Sequence, residues 1–209
     1  MRILSHRGYW KNAKEKNTIL AFDRSFKLGF GTETDVRDCG GNLFISHDMP
    51  NGSEMRLEDF LNIYNNCDLP LAINIKADGL AGQLNSIFKS ANIKDWFVFD
   101  MSIPDTRDHF SIGNPVFVRM SEYEKEPPWI DKADGIWLDS FDNLWYGTNF
   151  VKDLLNRYKR VCIVSAELHN REESDQWKVI KPLTHYSNLL ICTDKPEEAR
   201  SYFKESKVD

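Results

Sequence analysis

Long apolar runs are missing from this sequence. No stretch approaches the ~18–20 consecutive apolar residues that a bilayer-spanning helix requires, so no transmembrane segment is expected. No leader is read either: Met1-Arg-Ile-Leu-Ser5 runs straight into the polar His6-Arg7-Gly8, and the expected compartment is the cytoplasm. Cysteine is sparse. The four thiols, Cys39, Cys67, Cys162 and Cys192, are far apart and form no C-x-x-C pair. That excludes a zinc ribbon or disulfide framework and leaves buried, reduced cysteines as the expectation. Positive charge is not in excess: 27 Lys and Arg face 32 Asp and Glu, a net charge of −5. An acidic chain repels nucleic acid and anionic membrane, so neither is the expected partner. A local basic pocket for one small anion stays open. With only 11 glycines and 8 prolines there is no collagen-like or low-complexity segment.

What is present is an ordinary globular mixture, 41% hydrophobic and 28% charged over 209 residues. The length suits a single domain spanning residues 1–209. Eight short apolar runs alternate with helical patterns. The runs are Arg2 to His6, Thr32 to Asp38, Leu71 to Lys76, Trp96 to Met101, Pro115 to Met120, Gly135 to Asp139, Arg160 to Ala166 and Leu189 to Thr193. Gly40-Gly41 turns the second run into a short hairpin arm, Asn42 to Ser46. Helical spacing marks the stretch from Asn17 to Leu28, then Leu57–Tyr64, Ala81–Ala91, Thr148–Tyr158, Ser174–Ile180 and Pro196–Lys204. Around Glu122 to Asp131, with Pro127-Pro128, a proper helix is not expected. Strands alternating with helices imply right-handed βαβ units and a parallel sheet. Eight units point to a compact TIM-type (β/α)8 barrel; a doubly wound open sheet is the runner-up.

In a parallel barrel, chemistry collects at the carboxyl ends of the strands. His6 and Arg7 end the first run. Glu33 and Asp35 lie two apart on the second, so both face one way. His47-Asp48 follows the hairpin arm. Asn74 and Lys76 share a face of the third run. Two carboxylates beside an amide oxygen suit Mg²⁺ or Ca²⁺ better than zinc. Arg7 and Lys76 supply charge for a phosphate, and two histidines can divide acid and base work. Taken alone, an E-x-D pair is ordinarily a solvated strand face, and His-Arg-Gly an ordinary turn. Joint placement at successive strand ends is what argues for a site.

The ordered set His6-Arg7-Gly8, Asn17-Thr18 with Ala21-Phe22, Glu33-Thr-Asp35-Val36, His47-Asp48, Ile73-Asn-Ile-Lys76 and Thr193-Asp194-Lys-Pro196 resembles the glycerophosphodiester phosphodiesterase family. That family lies in the phospholipase-C-like phosphodiesterase superfamily. The resemblance implies a TIM-type barrel, one divalent cation, and hydrolysis of a small phosphodiester to a phosphomonoester and an alcohol. It matches His6 and His47 to catalytic histidines, and Glu33 and Asp35 to metal-binding carboxylates. Arg7 matches a phosphate-binding arginine, and Lys76 a lysine that stabilises phosphoryl charge.

The sequence departs from the family pattern in several places. Asn74 stands where a third metal-binding carboxylate is usual, and Glu167 is a candidate substitute. Lys16 stands where Glu commonly precedes Asn17-Thr18. The stretch from His47 to Leu57 is short, which predicts a more open site. Ser165-Ala-Glu-Leu168 replaces a tryptophan-containing pattern. Tyr9, Trp10, Trp137, Trp145 and Tyr146 are candidates to line an alcohol pocket or stack on a choline-like cation, or else are peripheral packing. Arg37 is expected in a surface ion pair. Two rival readings stand beside the main one: a sphingomyelinase D-like phospholipase, and a non-catalytic barrel that binds a phosphorylated ligand.

Overall fold

The computed structural model describes residues 1–65, 67–158 and 160–204. The chain divides into two compact units: residues 6–116, and residues 1–5 together with the chain from 117 onward. Both are built from strands followed by helices.

In the unit of residues 6–116, β2 (Gly31–Cys39) pairs in parallel with β4 (Leu71–Ile75), and β4 with β5 (Trp96–Phe99). The arm β3 (Asn42–Ile45) runs antiparallel to β2, with Val36 opposite Ile45. Gly40 and Gly41 make the turn at φ of +56° and +79°, a region open to glycine at little cost. The helices are α1 (Ile19–Lys27), α2 (Leu57–Tyr64), α3 (Ala81–Ser90) and α4 (Ile103–Ile112). Thr18 caps α1, its hydroxyl accepting the Ala21 N–H. The inward face of α1 carries Ala21 and Phe22, both fully buried. Phe22 meets Phe60 of α2 edge to face at 4.7 Å. Burying a Phe of this kind stabilises by roughly 2–3 kcal/mol.

The other unit holds β1 (Arg2–His6) except its last residue, His6, together with β6 (Phe117–Met120), β7 (Gly135–Leu138), β8 (Val161–Val164) and β9 (Leu189–Thr193). The pairs β6–β7, β7–β8, β8–β9 and β9–β1 are all parallel. Its helices are α5 (Thr148–Arg157), α6 (Ser174–Ile180) and α7 (Pro196–Lys204). Leu138, Ile163, Ile191, Trp177 and Phe203 share one apolar core.

The expected strand and helix runs are present within a residue or two, and no helix lies between β6 and β7. One element was not foreseen. The sequence reading passes from Met101 to Pro115 without a helix, yet α4 fills that span. Its buried side chains are Asp105, Thr106 and His109, while Ile103 and Ile112 face solvent. A helix that buries its polar residues lacks the apolar stripe by which helices are recognised. The cysteines also divide: Cys162 and Cys192 are buried as expected, whereas Cys67 is exposed.

Candidate functional site

The expected residues His6, Arg7, Glu33, Asp35, His47, Asn74 and Lys76 all fall in the unit of residues 6–116. The turn after β1 builds one wall. Arg7 adopts φ +57°, and its N–H donates to the Glu33 carbonyl at 2.9 Å and lies 3.3 Å from Glu33 Oε2. Gly8 follows at φ +79°; a Cβ there would sit 2.8 Å from Ala21 Cβ. The turn therefore packs onto α1 through a residue without a side chain. Asn17, also at positive φ, returns its own N–H to the Arg7 carbonyl at 2.9 Å.

Asp35 is the centre of the cluster and is wholly buried. Arg7 Nε stands 2.9 Å from its Oδ2, and Lys76 Nζ 3.5 Å from its Oδ1. The Asn17 amide donates to Oδ2 at 3.0 Å, while Thr34 Oγ1 donates to the Asn17 carbonyl oxygen at 2.9 Å. A buried carboxylate is tolerable only with such partners. Glu33, two residues back on the same face, is 2% exposed. His6 Nε2 is 3.9 Å from its Oε2. Burial, then the neighbouring Asp35 charge, pushes the Glu33 carboxyl up to about 7; His6, Arg7 and Lys76 only partly offset this.

Asn74 is the register partner of Asp35 across β2 and β4, so the two side chains share a face. Asn74 Oδ1 and Asp35 Oδ1 are buried oxygens that accept no hydrogen bond. Oxygens in that state suit a hard cation. Among the described residues no group of three or more His, Cys, Asp or Glu side chains is arranged to hold a metal.

His47 stands apart from the carboxylates. Its side chain is half-exposed, and Nδ1 lies 2.9 Å from Asp48 Oδ1. It shares with Arg7 an open cavity of about 670 Å³, also lined by Lys16, Asn17, Ile19, Met49 and Glu54. Arg37 does not form the expected surface ion pair. Its Nε donates to the His47 carbonyl at 3.0 Å and Nη1 reaches Met49 Sδ at 3.4 Å, so it braces the segment that carries His47.

Glu167, proposed from sequence as a spare metal ligand, is already engaged within the other unit. Its carboxylate accepts from Ser165 Oγ, Thr193 Oγ1 and the Asp194 N–H. It ties the end of β8 to the end of β9. Of the candidate aromatics, Tyr9, Trp137 and Tyr146 are buried packing residues; Trp10 lies beneath the Lys16 ammonium, 4.5 Å from the ring centroid.

Two histidine–carboxylate pairs escaped the sequence reading. His109 Nε2 lies 3.3 Å from Asp105 Oδ2 inside α4. Its Nδ1 faces the Asn114 amide at 3.0 Å, and Asp105 Oδ1 accepts the Gly79 N–H, in the loop after Lys76. In the other unit His169 Nε2 is 2.7 Å from Asp139 Oδ1. The i, i+4 spacing of Asp105 and His109 was a usable signal; Asp139 and His169 are 30 residues apart and gave none.

No family model and no curated protein matches the chain. Solved structures do. A glycerophosphodiester phosphodiesterase from Agrobacterium tumefaciens is 17% identical, with a TM-score of 0.71 over 96% of this chain and 99% of that one. An Oleispira antarctica phosphodiesterase, solved in complex with the product sn-glycerol-3-phosphate, is 13% identical, with a TM-score of 0.72 over 98% and 97%. A glycerophosphoryl diester phosphodiesterase from Parabacteroides distasonis is 12% identical, with a TM-score of 0.58 over 98% and 86%. The chain therefore has the TIM-type (β/α)8 fold of structurally similar glycerophosphodiester phosphodiesterases, with eight parallel strands and the antiparallel arm β3 added to β2.

Proposed function

We propose that this chain hydrolyses a glycerophosphodiester to a phosphomonoester such as sn-glycerol 3-phosphate and a free alcohol. The observation that carries the reading is the buried Asp35 carboxylate with Arg7 at 2.9 Å and Lys76 at 3.5 Å, beside Glu33 and His6. Structural packing alone gives little reason to bury two carboxylates side by side next to two part-exposed cations, since desolvation opposes it. A phosphodiester binding site needs those charges. Arg7 and Lys76 hold and neutralise phosphoryl oxygens as charge develops. Of His6 and His47, one accepts the proton of the attacking hydroxyl and the other protonates the departing alkoxide.

One divalent cation, Mg²⁺ or Ca²⁺, fits the oxygens of Glu33, Asp35 and Asn74, two of which are buried without a hydrogen bond. When bound it would polarise a phosphoryl oxygen. The neutral Asn74 makes this a weaker ligand set than three carboxylates would.

The test is a panel of glycerophosphodiesters assayed with Mg²⁺, Mn²⁺ and Ca²⁺ after chelator stripping. Turnover of at least one diester is expected, with His6→Ala and His47→Ala each losing roughly 10²–10⁴ in kcat and keeping the wild-type circular dichroism spectrum. Wild-type turnover by either folded variant removes that histidine from the mechanism. No turnover with any diester and metal overturns the reading.

A further inference from the structure

Helix α4 buries the face that a surface helix ordinarily shows to water. Its apolar Ile103 and Ile112 face solvent, while Asp105 and His109 are 3% and 0% exposed. The buried polar face grips one stretch of chain, the connection that runs from Lys76 into α3. Asp105 Oδ1 accepts the Gly79 N–H at 2.8 Å, and Ser102 Oγ donates to Asp78 Oδ2 at 2.9 Å. Asn114, just past the helix, donates its amide to the Ala81 carbonyl at 3.0 Å. Behind Asp105 the polar contacts run in one direction. Asn85 donates to Asn114 Oδ1 at 2.8 Å, so the Asn114 amide nitrogen is the donor toward His109 Nδ1, at 3.0 Å. Nδ1 therefore accepts, which assigns the imidazole proton to Nε2, 3.3 Å from Asp105 Oδ2. Burial favours that neutral ring.

We infer that Asp105, assisted by Ser102, is a positioning residue for Lys76: by holding the turn that leaves β4 it keeps the Lys76 ammonium at Asp35, where the phosphoryl group binds. The inference rests on the phosphodiesterase reading above and adds a residue to its machinery. Strand β2 anchors Lys76 at its own N–H, which donates to the Val36 carbonyl at 3.0 Å. Helix α4 anchors the turn that follows. Gly79 adopts φ +88° there, and glycine leaves a turn soft because many conformations are open to it. A buried acceptor on a helix selects one of them. The selection matters at Lys76, whose Nζ stands 3.5 Å from Asp35 Oδ1. A cation that stabilises charge developing in a reaction works by being in place beforehand. Asp105 acts on that placement through the backbone rather than on the substrate.

The experiment places Asp105→Ala and Asp78→Ala in wild type and in Lys76→Met, and measures kcat and KM on a diester that wild type turns over. Asp105→Ala is expected to lower kcat by roughly 10–100-fold with KM within about twofold. Asp78→Ala, which removes only the Ser102 bond, loses about two- to fivefold; Asp78 is exposed, so this variant carries the same comparison should Asp105→Ala not fold. Lys76→Met alone loses roughly 10²–10³, and adding either substitution to it costs nothing further, because effects routed through one group do not add. A second readout needs no turnover: acylation of lysines by acetic anhydride, followed by mass spectrometry. Lys76 is expected to react faster in both variants, while Lys195, held by Glu173 at 2.8 Å in the other unit, keeps its rate; a general loosening speeds both. Equal losses in the two backgrounds, or unchanged Lys76 labelling in the folded variants, assign Asp105 to stability alone and overturn the inference while the phosphodiesterase reading stands. If wild type turns over no diester, that reading falls and takes the inference with it.

Discussion

Glu33 offers a quantitative test of the site's electrostatics, through Glu33→Gln. The carboxyl is buried beside Asp35 and titrates at about 7 in the folded chain, against about 4.3–4.5 when unfolded. Because the folded value is raised, the folded state holds the proton more tightly. Stability is therefore lost as pH rises from about 4.5 through about 7, and the loss is complete above that window. Each unit of pKa displacement is worth 1.36 kcal/mol. Ionising Glu33 in the metal-free fold thus costs about 3 kcal/mol at pH 8 and under about 1 kcal/mol at pH 5. Gln preserves the shape and can still accept the Arg7 N–H, but it does not titrate. Its own packing offset is the same at both pH values and cancels in the difference. The assay is denaturant unfolding of both proteins in chelator at pH 5 and pH 8. The stability advantage of Glu33→Gln is expected to grow by about 2–3 kcal/mol between those conditions. An advantage that does not change with pH would refute the reasoning and show that Arg7, Lys76 and His6 together hold Glu33 ionised.

Asn74→Asp adds a carboxylate to the oxygens of Glu33 and Asp35 and should tighten Mg²⁺ or Ca²⁺ by about tenfold in calorimetric titration, equivalent to about 1.4 kcal/mol; unchanged affinity would place Asn74 outside the ligand set. Gly8→Ala forces a Cβ to within 2.8 Å of Ala21 at φ +79° and should cost about 1–3 kcal/mol in unfolding, with turnover falling because Arg7 is the next residue; a wild-type melting curve would contradict the close approach. Burial depresses the His109 pKa below its ordinary value, although Asp105 opposes this. The unfolded chain then binds the extra proton first, so stability falls as pH drops below about 6.5. His109→Gln should flatten that acid slope, and an unaltered slope would assign it to other groups.

The strands were readable because short, mainly aliphatic runs such as Leu71 to Ile75, broken only by Asn74, and Leu189 to Thr193 are nearly continuous in apolar residues, as strands buried on both faces are. The E-x-D spacing of Glu33 and Asp35 was readable for the same reason, since alternation fixes which residues share a face. What resisted reading depends on partners distant in sequence or on backbone conformation. Asn17 braces Asp35 only because it adopts φ +58°, which no residue pattern announces. Helix α4 hides because it buries Asp105, Thr106 and His109, whose partners Gly79 and Asn114 lie outside it. The occupation of Glu167 by Ser165 and Thr193 needed the register of β8 against β9.

The pairing of β1 with β9 has a consequence for how the protein is made. Arg2 lies opposite Leu190, so β1 leaves the ribosome long before this partner and finds it only when nearly the whole described chain has followed. At ≈5–20 residues per second, that delay is roughly 10–40 s. During it, the ladder groups of β1 that will face β9 have only water or transient partners, an exposed edge of the kind that recruits foreign strands. The pairings of β2 with β3, β2 with β4 and β4 with β5 all lie within residues 6–116 and can form long before then. Synthesis therefore finishes the unit that carries His6, Asp35 and Lys76 early, and the unit that pairs β1 with β9 late. Arrest of translation before Leu189 would leave β1 without its β9 ladder, and pulsed proteolysis of nascent chains should find residues 2–5 cleavable until that point.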